Sequence, residues 1–211
     1  MHVQKFTFNP FQENTYVLHA DGEGILIDPG CSDRNEQRVL EGWLEANGIR
    51  PVRSLLTHAH IDHVMGCAWA NERFGLLPEL HRKDLPTLAL VEQSGLLFGI
   101  ACAPVPEPVT FLEEGQVIQL GEEHLDVLFV PGHAPGHVAF FHPKQRFLIG
   151  GDVLFQRSIG RTDLPGGDFD VLQRSIREQF YPLGDDVVVY CGHGPETTIG
   201  EERRENPFVR G

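Results

Sequence analysis

The segment Thr57–His63, which reads THAHIDH, constrains the fold of this chain more than any other feature of its sequence. It places four side chains that can bind a metal ion within six consecutive positions: His58, His60, Asp62 and His63. Burying a carboxylate and several imidazole rings without polar partners would be costly, so core packing does not explain this density. The pattern favours a metal site that the rest of the chain must complete.

The segment follows Val52–Leu56, a short apolar stretch that predicts a buried β-strand. Side chains two positions apart in an extended chain face the same way, so His58 and His60 can point at one ion. A helix is predicted from about Asp62 to Phe74. The turn into that helix would direct Asp62 and His63 towards a neighbouring point.

Three later polar residues each come directly after an apolar strand and a glycine. They are His133, Asp152 and His193, which follow the predicted strands His124–Val130, Phe147–Ile149 and Val187–Tyr190. Glycine allows a sharp turn, and loops at strand ends commonly carry active-site residues. Each residue alone is more typical of an ordinary loop. Their shared setting, together with Thr57–His63, predicts one site with seven metal ligands.

Alternating and apolar runs predict strands and helices in both halves of the chain, which favours helices packed outside two sheets. The other predicted strands are Val3–Phe8, Thr15–His19, Gly24–Ile27, Pro78–His81, Val117–Leu120 and Val138–Phe141. Two further helices are predicted, from Ser32-Asp33 to Asn47-Gly48 and over Phe169–Phe180. The region 83–108 is predicted to be partly helical.

The remaining histidines are interpreted differently from the seven ligands. His137 lies four residues after His133 and is expected to support the ligand loop. No comparable setting surrounds the others, which are interpreted as surface or packing residues: His2, His19, His81, His124 and His142.

Charge and cysteine usage exclude several classes of partner. Lys and Arg number 17 against 30 Asp and Glu, a net charge of −13, and no basic cluster suited to nucleic acid is present. No apolar run is long enough to span a membrane, and Met1–Phe8 does not look like a signal peptide. Four dispersed cysteines without a C-x-x-C pair predict reduced thiols in the cytoplasm.

The Thr57–His63 segment resembles the T-H-x-H-x-D-H signature of the metallo-β-lactamase superfamily. Four further markers of that superfamily match in order: Asp28-Pro29-Gly30, Pro131-Gly132-His133, Gly151-Asp152 and Gly192-His193. The resemblance covers nearly the whole chain. It implies an α/β fold, the αββα sandwich of two mixed sheets with helices on the outer faces, formed by residues 1–211 as one domain.

Within the superfamily the chain looks most similar to short members of the glyoxalase II, or hydroxyacylglutathione hydrolase, group. This resemblance implies two metal ions, one held by His58, His60 and His133, one by Asp62, His63 and His193, with Asp152 bridging them. Zinc is expected, with iron or manganese as alternatives. The implied reaction is hydrolysis of a small thioester such as S-lactoylglutathione by a metal-bridging hydroxide that Asp62 also orients. A monomer or small homo-oligomer is expected.

Two departures from the glyoxalase II group concern glutathione. The chain stops about where longer members continue into a helical domain that contacts glutathione. The group's core also offers a lysine and a tyrosine, in the segment that here contains Arg161 and Asp163. Arg161 is expected to bind a substrate carboxylate in a forked geometry, whereas an ionised Asp163 cannot donate as a tyrosine hydroxyl does.

The sequence alone leaves four alternative functions to consider. The first alternative is a persulfide dioxygenase of the same superfamily, with one iron held at the positions of His58, His133 and Asp152. A β-lactamase is disfavoured by the missing export signal, and a nuclease by the acidic charge balance. A structural metal protein would close each ion with four, often thiolate, ligands. Seven non-thiolate ligands favour catalysis instead.

Overall fold

Two six-stranded mixed sheets form the centre of the structure, a computed structural model that describes residues 1–211. Strands of the first sheet lie side by side in chain order: β1 (His2–Phe8), β2 (Glu13–Ala20), β3 (Glu23–Ile27), β4 (Arg50–Leu55), β5 (Pro78–His81) and β6 (Phe111–Leu112). The first three strands are antiparallel, and β3 to β6 pair in parallel.

The second sheet consists of β7 (Val117–Leu120), β8 (Glu123–Phe129), β9 (Val138–His142), β10 (Phe147–Gly151), β13 (Val188–Cys191) and β14 (Thr197–Thr198). Its spatial order is β14-β13-β10-β9-β8-β7, and only β10 and β13 pair in parallel. A small hairpin of β11 (Leu154–Phe155) and β12 (Ser158–Ile159) follows β10.

The period-two alternation of the strands creates the layers. Ile25 and Ile27 of β3 point into a core between the two sheets, where they join Phe140 of β9. Leu26, between them in sequence, points to the opposite face and packs against Leu40. The strand pattern read from the sequence is therefore the pattern that builds the central core.

Helices cover the outer faces of both sheets. They are α1 (Arg34–Ala46), α2 (Ile61–Val64), α3 (Cys67–Phe74), α4 (Leu85–Ala89), α5 (Val91–Phe98), α6 (Phe169–Ser175) and α7 (Ile199–Glu205). On the first sheet, Leu40 and Leu44 of α1 pack with Leu26. On the second sheet, Leu172 of α6 and Ile199 of α7 complete the outer core. The αββα sandwich is confirmed.

The predicted helix Asp62–Phe74 is wrong as a single helix, because the chain breaks at Met65-Gly66 between α2 and α3. The amide of Gly66 donates to the carbonyl of Pro29 at 2.7 Å. A Cβ at position 66 would lie 2.7 Å from that carbonyl oxygen and 2.5 Å from Cys31 Sγ. The approach of the loop at 29–31 interrupts the helix and requires glycine.

The predicted helix Phe169–Phe180 is α-helical as α6 up to Ser175 and continues as a π-helical turn over Ile176–Phe180. The prediction that the region 83–108 is partly helical is confirmed, since α4 and α5 lie in it after a short 3-10 turn at Arg82–Asp84. The predicted start of α1 is confirmed, since the Asp33 side chain caps its first turn.

All four cysteines are unpaired, and three of them are buried. No helix combines the length and the apolar character that a bilayer crossing requires.

Candidate metal centre

The structure brings the seven predicted ligands together at one edge of the sandwich. Four of them lie in the segment that follows β4, and the other three follow β8, β10 and β13. His60 is still extended, with φ −66° and ψ 152°, and α2 begins at the next residue. His58 and His60 therefore precede the helix, whereas Asp62 and His63 lie on its first turn.

His58, His60 and His133 form the three-histidine group, whose ligand nitrogens all lie within 4.8 Å of one another. His60 Nδ1 is 2.9 Å from His133 Nε2, and His58 Nε2 is 3.3 Å from the same atom. Two members follow a strand of the first sheet and one follows a strand of the second. The group therefore exists only when the two sheets pack correctly.

Asp62, His63 and His193 form the aspartate-containing group, which meets the same 4.8 Å limit. Asp62 Oδ2 lies 3.0 Å from His193 Nε2 and 3.6 Å from His63 Nε2. This group also joins the two sheets, because His193 follows β13.

Asp152 lies between the two groups. Its Oδ2 is 3.5 Å from His133 Nε2 and 3.5 Å from His193 Nε2, and its Oδ1 is 3.5 Å from His63 Nε2. One carboxylate therefore faces a nitrogen of the three-histidine group and two nitrogens of the aspartate-containing group.

The spacing and the unpaired atoms of these side chains fit divalent metal ions. Zinc–nitrogen bonds of about 2.0–2.1 Å in a tetrahedral site separate neighbouring ligand atoms by roughly 3.3–3.4 Å. His63 Nε2 and Asp152 Oδ1 are buried and have no hydrogen-bond partner. Proteins rarely leave such atoms unpaired, and a shared cation would satisfy both. Nitrogen and oxygen donors without thiolate suit zinc, iron and manganese.

Hydrogen bonds to the second ring nitrogen orient four of the five imidazoles. The Nδ1 atoms of His58, His63, His133 and His193 contact Thr57 Oγ1 (3.0 Å), Asp28 Oδ2 (3.0 Å), the Arg161 carbonyl (2.8 Å) and the Phe11 carbonyl (3.2 Å), respectively. Donation from Nδ1 leaves the Nε2 lone pair for a metal ion. His60 differs from the other four, because its Nδ1 rather than its Nε2 faces the other nitrogens of the three-histidine group.

Asp28 is a buried carboxylate that orients the ligands. It accepts hydrogen bonds from the Thr57 amide (2.7 Å), the Thr57 hydroxyl (2.6 Å) and His63 Nδ1. Asp28, His58 and His63 also lie close enough to form a third possible metal group. Since both Asp28 oxygens already accept hydrogen bonds, Asp28 fits the role of an orienting partner better than that of a ligand.

His137 supports the centre as expected. Its Nε2 accepts a hydrogen bond from the Asp152 amide at 3.0 Å, and its ring stacks on His58 with centroids 4.7 Å apart. Gly192 provides space on another side of Asp152, because a Cβ there would lie 2.1 Å from Asp152 Oδ1. The Asp152 carboxylate is thus held through its own backbone amide and fitted against a glycine.

The start of β2 fixes the loop that carries His193. The Asn14 amide donates to the Gly192 carbonyl at 2.7 Å, and the Asn14 side chain donates to the carbonyls of Cys191 and Gly194. The Tyr16 hydroxyl donates to the Cys191 carbonyl at 2.7 Å. Residues about 180 positions apart in sequence therefore position one ligand.

The three-histidine group is electrically neutral. Burial lowers the pKa of His58 well below its usual value and lowers that of His60 to about 3. Burial also lowers the pKa of His133. Neutral imidazoles have the free lone pair that metal binding requires.

The aspartate-containing group is charged. Burial opposes a charge on His63, but the carboxylates of Asp62 and Asp152 outweigh it and raise the pKa of His63 well above its usual value. Burial likewise opposes ionisation of Asp62 and Asp152, yet the adjacent His63 lowers the pKa of both carboxyls. Carboxylates and imidazolium ions stabilise one another here.

A cavity of about 410 Å³ opens directly onto the centre, and His60, Asp62 and Asp152 line it. Arg161, which was predicted from the sequence to contact the substrate, also lines this cavity. Its guanidinium, however, donates two hydrogen bonds of 2.7 Å to Asp163. Two of its five N–H donors are therefore used, and its charge is already paired with a carboxylate.

Comparison of the chain with protein families identifies its family. The sequence model of the Metallo-beta-lactamase superfamily matches residues 8–193, a span that contains all seven candidate ligands. The chain belongs to the metallo-beta-lactamase superfamily. Its fold and its converging histidine and aspartate side chains are those of a metallo-hydrolase of this superfamily.

Three relatives that match this chain over nearly their whole length are described by different activities or by a different metal content. The hydroxyacylglutathione hydrolase GloC of Haemophilus influenzae is 35% identical over 213 residues, which cover 99% of this chain and 98% of GloC. The crystal structure of the BLEG-1 B3 metallo-beta-lactamase is 37% identical, with a TM-score of 0.90 and full coverage of both chains. TTHA1623, crystallised in a di-iron-bound form, is 40% identical with a TM-score of 0.88, covering 98% of this chain and 100% of TTHA1623.

Asp84 is a further buried residue beside the metal centre, and it was not predicted from the sequence. Its carboxylate accepts hydrogen bonds from the Ala59 amide (2.5 Å), the Gly136 amide (3.0 Å) and the Thr87 hydroxyl (3.1 Å). It therefore ties the segment after β4 to the loop that carries His133. Asp84 comes three residues after β5, so the same rule of a polar residue past a strand end could have indicated it.

Proposed function

We propose that this chain hydrolyses thioesters of small molecules, such as S-lactoylglutathione, with two divalent metal ions. The position of Asp152 carries this proposal: its oxygens lie 3.5 Å from nitrogens of both groups, beside the cavity. The likeness to the hydroxyacylglutathione hydrolase GloC supports a thioester substrate.

In this proposal the three-histidine group and the aspartate-containing group would each hold one ion, and Asp152 would contribute to both sites. Zinc is the proposed metal, with iron or manganese as alternatives, and the di-iron form of TTHA1623 supports iron among them. When bound, such ions supply a water molecule of lowered pKa and polarise the substrate carbonyl.

Residues of the chain contribute position and charge to the reaction. Asp62 lines the cavity and its pKa is lowered, so its carboxylate can accept a hydrogen bond from the attacking water and orient it. The water oxygen bonds to the carbonyl carbon, and the carbon–sulfur bond breaks with its electron pair going to sulfur. A carboxylate, a thiol and one released proton result. Arg161 is the proposed substrate contact at the cavity wall.

β-Lactam hydrolysis is a second candidate, because the BLEG-1 B3 metallo-beta-lactamase matches the full chain with a TM-score of 0.90. A β-lactam also presents a carbonyl group to a nucleophilic water, so the same centre could serve it. The two candidates differ in leaving group, which is a thiol in one case and a ring amide nitrogen in the other.

A turnover screen tests both candidates on one purified sample. It compares S-lactoylglutathione, simple acyl thioesters and nitrocefin, and it measures oxygen uptake with glutathione persulfide and bound metal by elemental analysis. We expect about two metal ions per chain, thioester turnover and its loss after chelation. Full thioester turnover by a metal-free sample, or turnover of nitrocefin or the persulfide alone, would contradict the proposed function.

A further inference from the structure

Apolar side chains from several separate segments of the chain line the cavity beside the metal centre. The larger ones include Phe11, Leu90, Val91, Phe98, Phe155 and Leu164. Val91, the first residue of α5, is buried in the hydrophobic core beneath the helix. Leu90 and Phe98, in contrast, are 37% and 51% exposed. Phe98 packs edge-on against Phe11, with ring centroids 5.3 Å apart. The wall is thus anchored from beneath and retains apolar surface that a ligand can cover.

The charges at this cavity are already balanced outside the metal centre. Arg161 is the one Lys or Arg side chain of its lining, and its guanidinium forms the forked pair with Asp163. A substrate carboxylate that approached Arg161 would also meet the Asp163 carboxylate. The net charge of the chain, −13, adds no long-range attraction for an anionic carrier.

The uncharged polar groups of the wall are few. The Thr87 hydroxyl donates to Asp84, so it cannot also donate to a ligand. Ser94 of α5 also lines the cavity, and its hydroxyl makes no hydrogen bond within the protein. Ser94 would favour a polar ligand, which could form a hydrogen bond to its hydroxyl, whereas Phe98 would favour an apolar ligand. Because the two residues lie four positions apart on α5, mutation of each one tests which preference dominates.

From the apolar wall we infer that the site prefers thioesters whose acyl groups are apolar and several carbons long. The inference rests on the proposed thioester hydrolysis and specifies its substrate class. Pockets of about 300–1,000 Å³ hold drug-sized ligands, and a cavity of about 410 Å³ exceeds the needs of a two- or three-carbon acyl group.

The test combines turnover and binding on the metal-loaded protein. Acetyl, butyryl, hexanoyl and octanoyl thioesters of N-acetylcysteamine, which is uncharged, are compared with S-lactoylglutathione by kcat/KM. The same acyl series as S-(2-oxoalkyl) ketones, in which a methylene separates carbonyl and sulfur and prevents hydrolysis, is measured by calorimetry. We expect each buried methylene to raise kcat/KM and ketone affinity by up to about fourfold.

Three variants of α5 assign the effect to the wall. Phe98→Ala should lower kcat/KM for the octanoyl ester by about fivefold or more and leave the acetyl ester nearly unchanged. Leu97→Ala is the matched control, because Leu97 is 81% exposed on the same helix and does not line the cavity. Ser94→Ala, which makes the wall more apolar, should raise kcat/KM for the octanoyl ester.

The outcomes separate the two levels of the proposal. If the affinity for the ketones stays constant or falls as the acyl chain lengthens, the inference of an apolar acyl group is wrong. It is also wrong if kcat/KM for S-lactoylglutathione exceeds kcat/KM for every thioester of the N-acetylcysteamine series. A Ser94→Ala variant that loses turnover of the octanoyl ester also contradicts it. Absence of turnover with every thioester, while ketone affinity still rises with chain length, would instead refute the proposed hydrolysis.

Discussion

The three-histidine group and the aspartate-containing group lie side by side but differ in charge. The first consists of buried imidazoles whose pKa values burial lowers, so it is neutral before any metal binds. The second contains Asp62, and its two histidines have raised pKa values because carboxylates surround them. Neutral donors are immediately available to a metal ion, whereas charged donors attract it more strongly but must first lose protons. The two sites are therefore expected to bind metal under different control.

The largest effect is expected from Asp152→Ala, because this substitution removes the carboxylate that faces both groups. Bound metal should fall in both sites, and thioester turnover should drop by about a thousandfold or more. Elemental analysis and kcat/KM measure the two effects. Asp126→Ala, which removes a partly exposed carboxylate on β8, is the control. If the Asp152→Ala variant kept its full metal content, Asp152 would not be a ligand shared by the two metal ions.

Removing one histidine from each group is the second test. His60→Ala should empty the three-histidine site, and His193→Ala should empty the aspartate-containing site, so each variant should retain about one ion per chain. We expect turnover to fall about a hundredfold or more in both, since each ion contributes to the reaction. Loss of both ions from either variant would show that the groups do not act as separate sites.

A smaller effect is expected at Asp84, which contacts no candidate ligand side chain but connects the loops of the three-histidine group. Asp84→Ala should weaken metal binding at that group by about 10–100-fold, the usual range for residues that orient metal ligands. Thr87→Val, which removes only the hydroxyl bound to Asp84, should have little effect. Competition with a fluorescent chelator measures the affinities. Equal affinity in Asp84→Ala and the wild type would reduce Asp84 to a packing role.

The smallest expected effect is a release of protons when a metal ion binds to the metal-free protein near pH 7. Burial opposes the charge on His63 and His193, but their carboxylate partners raise both pKa values, so they carry protons that metal must displace. Histidines of the three-histidine group carry none, because their pKa values are lowered. Metal affinity of the aspartate-containing group should therefore fall as pH falls.

A pH indicator in weak buffer measures this release. His60→Ala, which keeps the aspartate-containing group, should release protons on zinc addition, and His193→Ala should release fewer. Equal release from both variants would contradict the difference in charge between the groups.

Local sequence patterns were sufficient for the strands and for one half of the centre. Alternation at β3 separates Ile25 and Ile27 from Leu26, and this requires only the two-residue period of an extended chain. The same period places His58 and His60 before the turn into α2. Such patterns depend on neighbours in the chain, so the sequence shows them directly.

Other features were not visible because they depend on contacts between distant segments. The break of the predicted helix Asp62–Phe74 arises where Gly66 meets Pro29. Asp84 follows the end of β5, but its role was not visible in the sequence, because its partners, Ala59 and Gly136, lie 25 and 52 residues away. No periodicity reports such a contact.

By itself, the sequence determined which residues can bind metal and which strands precede them, since donor chemistry and strand period are local properties of the chain. Only the tertiary structure decided that His133, Asp152 and His193 converge on the Thr57–His63 segment, with donor atoms 3.0–3.5 Å apart. It also decided that Arg161 is paired with Asp163 rather than free. The physical reason is that packing of one sheet on the other, and hydrogen bonds from β2 to the His193 loop, set these distances.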